Sequence, residues 1–120
     1  MKEYRTNDGS SKLAVLWTSK DKDVAVKMVF MYAGNAKKKG WFDVVRLIVW
    51  GPAAKLLAEN TELQNYLEEM KREGVEFAAC KACADMYGTS QKLEELGVEV
   101  LYIGAPFSDM LKADWKVLSV

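Results

Sequence analysis

Histidine is absent from all 120 residues of this chain. Its absence excludes every Ser-His or Cys-His catalytic dyad and every Cys₂His₂ zinc site within one chain. Any proton transfer must therefore use carboxylates, lysines, tyrosines, thiols or water. Glycine-rich motifs of the G-x-G-x-x-G and P-loop kinds are also missing, and with them the usual phosphate cradle. We predict no cofactor and no metal site.

The chain also has little net charge, few cysteines and no long apolar run. Seventeen basic residues balance seventeen acidic ones, which argues against nucleic acid or an anionic membrane surface as a partner. No apolar run approaches the roughly 20 residues of a membrane-spanning helix. Residues 1–11 are polar and lack the apolar core of a signal peptide, so we predict a flexible N-terminal arm. We expect a cytoplasmic protein whose only two cysteines stay reduced.

Five short segments have the apolar character of strands that are buried in a sheet. They lie at residues 13–17, 43–50, 75–79, 98–103 and 115–120, and helical patterns connect them. Strands that alternate with helices through short connections predict an α/β fold with three α/β/α layers and a mostly parallel five-stranded sheet. Because no linker or repeat interrupts this alternation, residues 12–120 form a single predicted domain.

The helix predicted from about residue 21 to residue 39 is apolar around most of its circumference. Val24, Met28 and Tyr32 form one stripe at four-residue spacing, whereas Phe30 and Met31 point elsewhere. Either this helix is deeply covered, or it contributes to an interface between subunits. We predict a homo-oligomer, with Phe30 and Met31 as candidate interface residues.

Both cysteines lie where the predicted third strand meets a short helix that ends at Gly88. In open α/β sheets, ligands and reactive groups collect after the carboxyl ends of the strands. Backbone N–H groups at the helix start and the adjacent Lys81 favour a thiolate at Cys80, whereas Asp85 favours the neutral thiol. We expect Cys80 to be less enclosed by the helix than Cys83.

A C-x-x-C pair in a chain without histidine is compatible with four kinds of site. The alanine-rich surroundings favour two buried, inert thiols. A thiol that carries sulfur and a redox dithiol are the reactive alternatives, although the aromatic and proline neighbours of a thioredoxin-like dithiol are absent. Half of a zinc site is the fourth alternative, and it would need ligands from a second subunit.

The carboxyl ends of the other strands carry aromatic and polar residues, and a parallel sheet brings these ends to one edge. We predict that this edge forms a cleft beside the thiols, lined by Trp17, Thr18, Ser19, Trp50, Gly51, Asp85 and Tyr102. For Trp17 and Trp50, the alternative is that both rings simply cap the core.

The segment Cys80-Lys81-Ala82-Cys83-Ala84-Asp85, with Gly88 after it, resembles the DsrE/DsrF-like family, and most closely its small YchN-type members. The last strand and the five-strand layout are also similar, so the resemblance extends from about Leu13 to Val120. It implies a three-layer α/β/α fold, cytoplasmic homo-oligomers (trimers or hexamers) and a link to sulfur metabolism. Cys80 matches the position that carries a persulfide in the sulfur-relay members. Cys83 matches an additional cysteine of the YchN-type members, whose role the resemblance does not settle.

We therefore hypothesise a sulfur-carrier protein whose Cys80 accepts sulfane sulfur and passes it to a partner. Cys83 would resolve or help to hold the persulfide, and Lys81 with the backbone N–H groups would stabilise the thiolate. The implied partners are a sulfur donor protein and a sulfur acceptor protein. A non-catalytic oligomeric scaffold or binding protein with inert cysteines and a thiol redox protein remain the alternatives.

Overall fold

A five-stranded sheet in which every strand is parallel to its neighbours forms the centre of the molecule. The computed structural model describes residues 9–120. The strands follow the order β4-β3-β2-β1-β5 across the sheet. Their bounds are β1 (Lys12–Trp17), β2 (Val44–Val49), β3 (Glu76–Cys80), β4 (Glu99–Leu101) and β5 (Lys116–Ser119). The predicted α/β fold is confirmed, and the sheet is entirely rather than mostly parallel.

Helices fill every connection between consecutive strands. The β1–β2 connection is one long helix made of α1 (Lys22–Val24), a π-helical segment (Ala25–Phe30) and α2 (Met31–Lys38). The other helices are α3 (Pro52–Glu59), α4 (Thr61–Glu73), α5 (Lys81–Tyr87), α6 (Ser90–Glu95) and α7 (Gly104–Lys112). The sequence pattern predicts the long helix, but it does not predict the wider turns of its π-helical segment.

The two faces of the sheet are covered unequally. The strands β1 to β4 follow one another in order across the sheet, and right-handed crossovers in one direction place α1 to α6 on the same face. The connection after β4 returns to the outer side of β1, which places α7 on the opposite face. We call these faces the thick face, under α1–α6, and the thin face, under α7.

Most of the core lies on the thick face. Side chains along each strand point alternately to the two faces. The buried thick-face residues include Val15, Trp17, Leu47, Val49 and Ala79 from the strands, and Val29, Leu57, Leu67 and Leu93 from the helices. The thin face carries a smaller buried cluster of Ala14, Ile48, Ala78, Cys80, Ile103, Met110 and Trp115.

An ion pair joins β2 to β3 on the thin face. Arg46 and Glu76 lie opposite each other in the sheet, and both Nε and Nη2 of Arg46 are 2.6 Å from Glu76 Oε1. The Arg46 guanidinium also lies 4.8 Å from the centre of the Trp115 ring. These contacts compensate the charge of a guanidinium that is buried in the sheet.

The predicted N-terminal arm falls mostly outside the described part of the chain, because residues 1–8 are not included in it. Ser11, inside the predicted arm, is tied to the residues before β2. Its N–H donates to Asp43 Oδ2 at 2.8 Å, and its carbonyl accepts the N–H groups of Asp43 and Val44 at 3.0 Å. Within residues 9–120, no helix combines the length and the apolar character that crossing a membrane requires.

Phe30 faces the core rather than the surface of the long helix. It is 4% exposed, and its ring meets Trp17 edge-on at 5.1 Å between ring centres and approaches Tyr66 at 6.1 Å. The prediction that Phe30 lies at an interface between subunits is therefore wrong, because this ring is already covered within one chain. Met31, the next residue, is 56% exposed and keeps an outward position.

Replacing Phe30 should destabilise the fold itself. Phe30→Ala removes a buried ring from the Trp17 contact, and we expect the free energy of unfolding to fall by about 3–5 kcal/mol. Lys27→Ala changes an exposed side chain of the same π-helical segment, so it should shift that free energy by no more than about 0.5 kcal/mol. Urea unfolding of both variants measures the difference, and equal effects would contradict the core position of Phe30.

Candidate functional site

Cys80 occupies the junction between β3 and α5, on the thin face of the sheet. It is the last residue of β3 and also the N-cap of α5, because its extended backbone ends the strand while its side chain accepts from the first turn of the helix. The Sγ atom accepts a hydrogen bond from the backbone N–H of Cys83 at 3.5 Å. The structure therefore places the thiol at the carboxyl end of a central strand.

Burial dominates the electrostatics of Cys80. The residue is 6% exposed, and removal from water raises the pKa of its thiol. The backbone N–H groups of Cys83 and Ala82 lower that pKa, whereas interaction with the Cys83 side chain raises it, and the net direction is upward. The expected stabilisation of a thiolate by helix N–H groups is thus outweighed by burial, which favours the neutral thiol.

Cys83 is more exposed than Cys80, which reverses the expected order. It is half-buried and packs against the thin-face cluster that includes Cys80, together with Trp50, Leu101 and Phe107. The reversal arises because Cys80 ends an inner strand that is covered by its own helix, whereas Cys83 lies on that helix at the border of the thin face. Both residues carry free thiols.

Lys81 pairs with Asp85, one turn further along α5. Its Nζ lies 3.1 Å from Asp85 Oδ2 and 5.8 Å from the centre of the Tyr102 ring. Asp85 also accepts a short hydrogen bond from Ser90 Oγ. The hydrogen bond with Asp85 raises the pKa of Lys81, while Ser90 and then Lys81 lower the pKa of Asp85. The main causes of the raised pKa of Cys80 are burial and the interactions with Cys83 rather than Lys81.

Two further residues of the predicted cleft lie beside the thiols. The Trp50 ring packs on the thin-face cluster and meets Phe107 edge-on at 5.5 Å between ring centres. Tyr102, 68% exposed, follows β4 next to the Cys80 end of β3. Gly51 follows Trp50 at the start of α3 with φ of 64°, a left-handed conformation that favours glycine.

The remaining predicted cleft residues lie elsewhere. Trp17 is completely buried on the thick face against Phe30, so it belongs to the core and does not line a cleft beside the thiols. Thr18 donates to the carbonyl of Val120 through both its N–H and its hydroxyl, and Ser19 Oγ accepts from the N–H of Asp21. Both residues follow β1, two strand spacings or about 10 Å from β3.

Sequence reasoning missed the residues of α7 and its approach that share the thin face with the thiols. Ile103 and Met110 belong to the thin-face cluster, and Phe107 packs against it. Their spacing of four and then three residues is the signal of an apolar helix face, but it does not tell which side of the sheet the helix covers.

The described residues contain no group of three or more His, Cys, Asp or Glu side chains that would hold a metal ion. A groove of about 230 Å³ lies between the long helix and α4 and is lined in part by Phe30, Met31, Tyr66 and Met70. Because Phe30 and Met70 belong to the thick-face core, this groove is separated from the thiols by the sheet.

Comparison with known proteins identifies the relatives of this fold and site. The family model described as DsrE/DsrF-like matches residues 11–120. The chain belongs to the DsrE/DsrF-like family. The family predicted from the Cys80–Gly88 segment is thereby confirmed. No curated protein matches the chain.

Solved structures share the DsrE/DsrF-like fold over nearly the whole chain. A conserved protein of unknown function, BT1422, from Bacteroides thetaiotaomicron is 37% identical with a TM-score of 0.91, covering 95% of this chain and 100% of its own. The ychN protein from E. coli is 19% identical with a TM-score of 0.66, covering 92% and 99%. The protein of unknown function MTH1491 from Methanobacterium thermoautotrophicum is 20% identical with a TM-score of 0.69, covering 92% and 100%. The last two show the fold alone.

The accessibilities of the two thiols predict their order of alkylation. At pH 7, iodoacetamide should modify Cys83 before Cys80, because Cys83 is more exposed. Since burial raises the pKa of Cys80, its rate should increase about tenfold per pH unit until the pH passes that pKa. Trypsin cleaves after Lys81 and separates the two cysteines, so peptide mass spectrometry gives both rates. Faster modification of Cys80 at pH 7 would contradict the burial argument.

Proposed function

We propose that this DsrE/DsrF-like protein is a sulfur carrier in which Cys80 holds sulfane sulfur as a persulfide. The observation that carries the proposal is the position of the Cys80 thiol. It lies at the carboxyl end of β3, accepts the Cys83 N–H at 3.5 Å, and has a second thiol as its neighbour. A hydrogen-bond donor aimed at the sulfur favours the anionic forms through which sulfur is transferred.

The proposed reaction needs no cofactor and no change in net oxidation state. The Cys80 thiolate attacks the outer sulfur of a donor persulfide R–S–SH. A bond forms between that sulfur and Cys80 Sγ while the bond to the donor breaks, which gives Cys80–S–SH and the thiolate R–S⁻. Delivery to an acceptor thiolate is the same step in reverse direction. The partners that this chemistry requires are a sulfur donor and a sulfur acceptor, each presenting a thiol.

Burial of Cys80 suits a stored persulfide as well as an inert thiol. A persulfide enclosed by the thin-face cluster is shielded from small reductants, which would otherwise remove the sulfur. The surface around Cys80 carries exposed apolar side chains. Met86 is 82% exposed and Tyr102 is 68% exposed. Exposed apolar groups next to a reactive residue favour transient docking of a protein that delivers or takes sulfur.

The second candidate is an oligomeric scaffold with inert cysteines, and the 6% exposure of Cys80 favours it. Under this alternative, both thiols pack as small apolar groups, which is common for free cysteine. A redox dithiol is the third candidate, and the contact between Cys80 Sγ and the Cys83 N–H at the start of a helix favours it. The three candidates differ in the products that form on Cys80.

Persulfide loading tests the carrier proposal directly. Protein is purified without reductant, incubated with sodium tetrasulfide and examined by mass spectrometry for addition of one sulfur atom. We expect a stable adduct on the tryptic peptide that contains Cys80 in the wild type and no adduct on that peptide in Cys80→Ser, and an excess of dithiothreitol should remove the wild-type adduct. Ser90→Ala, which changes a hydroxyl on α6 without touching either thiol, serves as the control and should load normally. Absence of any adduct would favour the scaffold, and a Cys80–Cys83 disulfide would favour the redox dithiol.

We further propose a cytoplasmic homo-oligomer, most simply a trimer or a hexamer, without nucleic acid or membrane partners. The support is a set of seven large apolar side chains that are exposed at the surface. These are Met28, Met31, Trp41, Met86, Tyr87, Tyr102 and Leu111. Contact between copies of the chain would remove part of this surface from water.

A charged residue at Met31 tests the contribution of the long helix to assembly. Met31→Glu should lower the mass measured by light scattering at micromolar concentration, because burying a lone carboxylate in an apolar contact is costly. Gln91→Glu places a carboxylate at an exposed position of α6 outside this apolar set and is the matched control, with the mass unchanged. A wild-type protein that stays monomeric would contradict the assembly. An unchanged mass in Met31→Glu would show that the long helix takes no part in it.

A further inference from the structure

We infer that sulfur enters this protein at Cys83 and is then passed to Cys80, so that the C-x-x-C pair works as an internal relay. The inference rests on the proposed sulfur-carrier function and refines its entry step: Cys83 takes the sulfur from the external donor and becomes the persulfide R–S–SH that Cys80 attacks. It gives Cys83 the role of first nucleophile and Cys80 the role of storage site.

Exposure argues for Cys83 as the point of entry. A donor must bring its sulfur into line with the attacking thiolate, which requires room in front of the thiol. Cys80 is 6% exposed and lies beneath the residues that cover the thin face, including Ile103 and Met110. Cys83 is half-buried at the border of the same cluster. A donor approaching from solvent therefore reaches Cys83 first.

Proximity argues for direct transfer between the two thiols. The N–H of Cys83 donates to Cys80 Sγ at 3.5 Å, so the backbone of one cysteine touches the sulfur of the other. The side chains also interact, since Cys83 is one of the groups that shift the pKa of Cys80. Both thiols pack against one cluster, and sulfur carried on Cys83 lies beside the Cys80 thiol.

Both steps of the relay balance in atoms and electrons. With tetrasulfide as donor, the Cys83 thiolate attacks a terminal sulfur of S₄²⁻, which gives Cys83–S–S⁻ and releases S₃²⁻. After protonation by water, Cys80 attacks the outer sulfur of Cys83–S–SH. The new bond joins that sulfur to Cys80 Sγ, the bond to Cys83 Sγ breaks, and the proton lost by Cys80 ends on Cys83. The products are Cys80–S–SH and Cys83–SH, with no oxidant or reductant consumed.

The environment of Cys80 gives the relay a direction. At Cys80 the bound sulfur is enclosed, and the Cys83 N–H is aimed at Sγ. Among the described residues, no backbone N–H donates to the sulfur of Cys83. Cys83, which is half-buried, therefore offers access to a donor. Cys80, which is buried, offers the bound sulfur a hydrogen bond and shielding from reductants.

A time-resolved loading experiment tests the order of the two sites. Full-length protein is mixed with sodium tetrasulfide, quenched with iodoacetamide at increasing times and digested with trypsin, which separates the cysteines at Lys81. In the wild type, we expect the adduct on Cys83 to rise and decay while the adduct on Cys80 accumulates. In Cys80→Ser, sulfur should stay on Cys83 and be removed by dithiothreitol faster than from wild-type Cys80.

Variants of Cys83 separate entry from a structural role. Cys83→Ser and Cys83→Ala should each slow loading of Cys80 at least about tenfold, because the buried thiol must then react with tetrasulfide itself. Gln91→Ala, which truncates an exposed side chain on the neighbouring helix α6, is the control and should leave the rate unchanged. The transient adduct on Cys83 is the readout that a structural role would not produce.

Other outcomes overturn the relay in distinguishable ways. If Cys80 loads without a transient on Cys83, and equally fast in both Cys83 variants, the relay is wrong while the carrier function stands. If neither cysteine gains sulfur, the carrier function fails as well. If the adduct on Cys83 decays to a Cys80–Cys83 disulfide, Cys80 attacks the inner sulfur and hydrosulfide leaves, which identifies a redox dithiol instead of a relay.

Discussion

The handedness of the strand connections determines where everything else in this molecule lies. Right-handed crossovers that move in one direction put every helix between β1 and β4 on the same side of the sheet. Only the return connection reaches the other side, and it brings the single helix α7. The sheet therefore has one face that carries most of the core and one that is close to solvent. The accessibility of the Cys80 thiol depends on this asymmetry, because the thiol points to the thinly covered face.

At that face, burial and hydrogen bonding act on Cys80 in opposite directions. The helix that begins after β3 offers N–H groups to the sulfur, as a reactive thiol requires. The same tight junction removes the sulfur from water, and the pKa of Cys80 rises in consequence. A buried neutral thiol is slow to attack but well protected once it carries a reactive group. In the proposed relay, the more accessible Cys83 makes the first attack, and the Cys80 site stays closed to solvent.

Much of the fold is readable from local sequence, whereas the site depends on contacts that are distant in sequence. Continuous apolar runs such as 13–17 and 75–79 mark buried strands, and the Cys80–Gly88 segment identifies the family. The position of Cys80 at a strand end also follows from local pattern. Which face it occupies does not, because that depends on the strand order and on α7. Trp17 and Phe30 contact each other on the thick face. For the same reason, the predictions that Trp17 lines a cleft and that Phe30 lies at an interface between subunits are wrong.

The partner of a charged side chain is equally hard to predict from sequence spacing. Lys81 is adjacent to Cys80 in sequence, which suggests a cation for the thiolate. On the helix, however, Asp85 lies one turn away and Ser90 fixes its carboxylate. The lysine therefore pairs with Asp85 on the surface. A charge next to a thiol in the chain acts on it only if the side chain has no better partner.

The ion pair between Arg46 and Glu76 has a consequence for the thiol at the other end of the strand. Glu76 and Cys80 are separated by four residues, about 13 Å along β3, and therefore point to the same face. Sliding β3 by one residue would turn both of them towards the thick face, and would separate the carboxylate from a buried guanidinium at a cost of about 3–5 kcal/mol. The pair thus acts as a register lock for β3. An electrostatic contact at the far end of β3 therefore helps to determine which face of the sheet the Cys80 sulfur occupies.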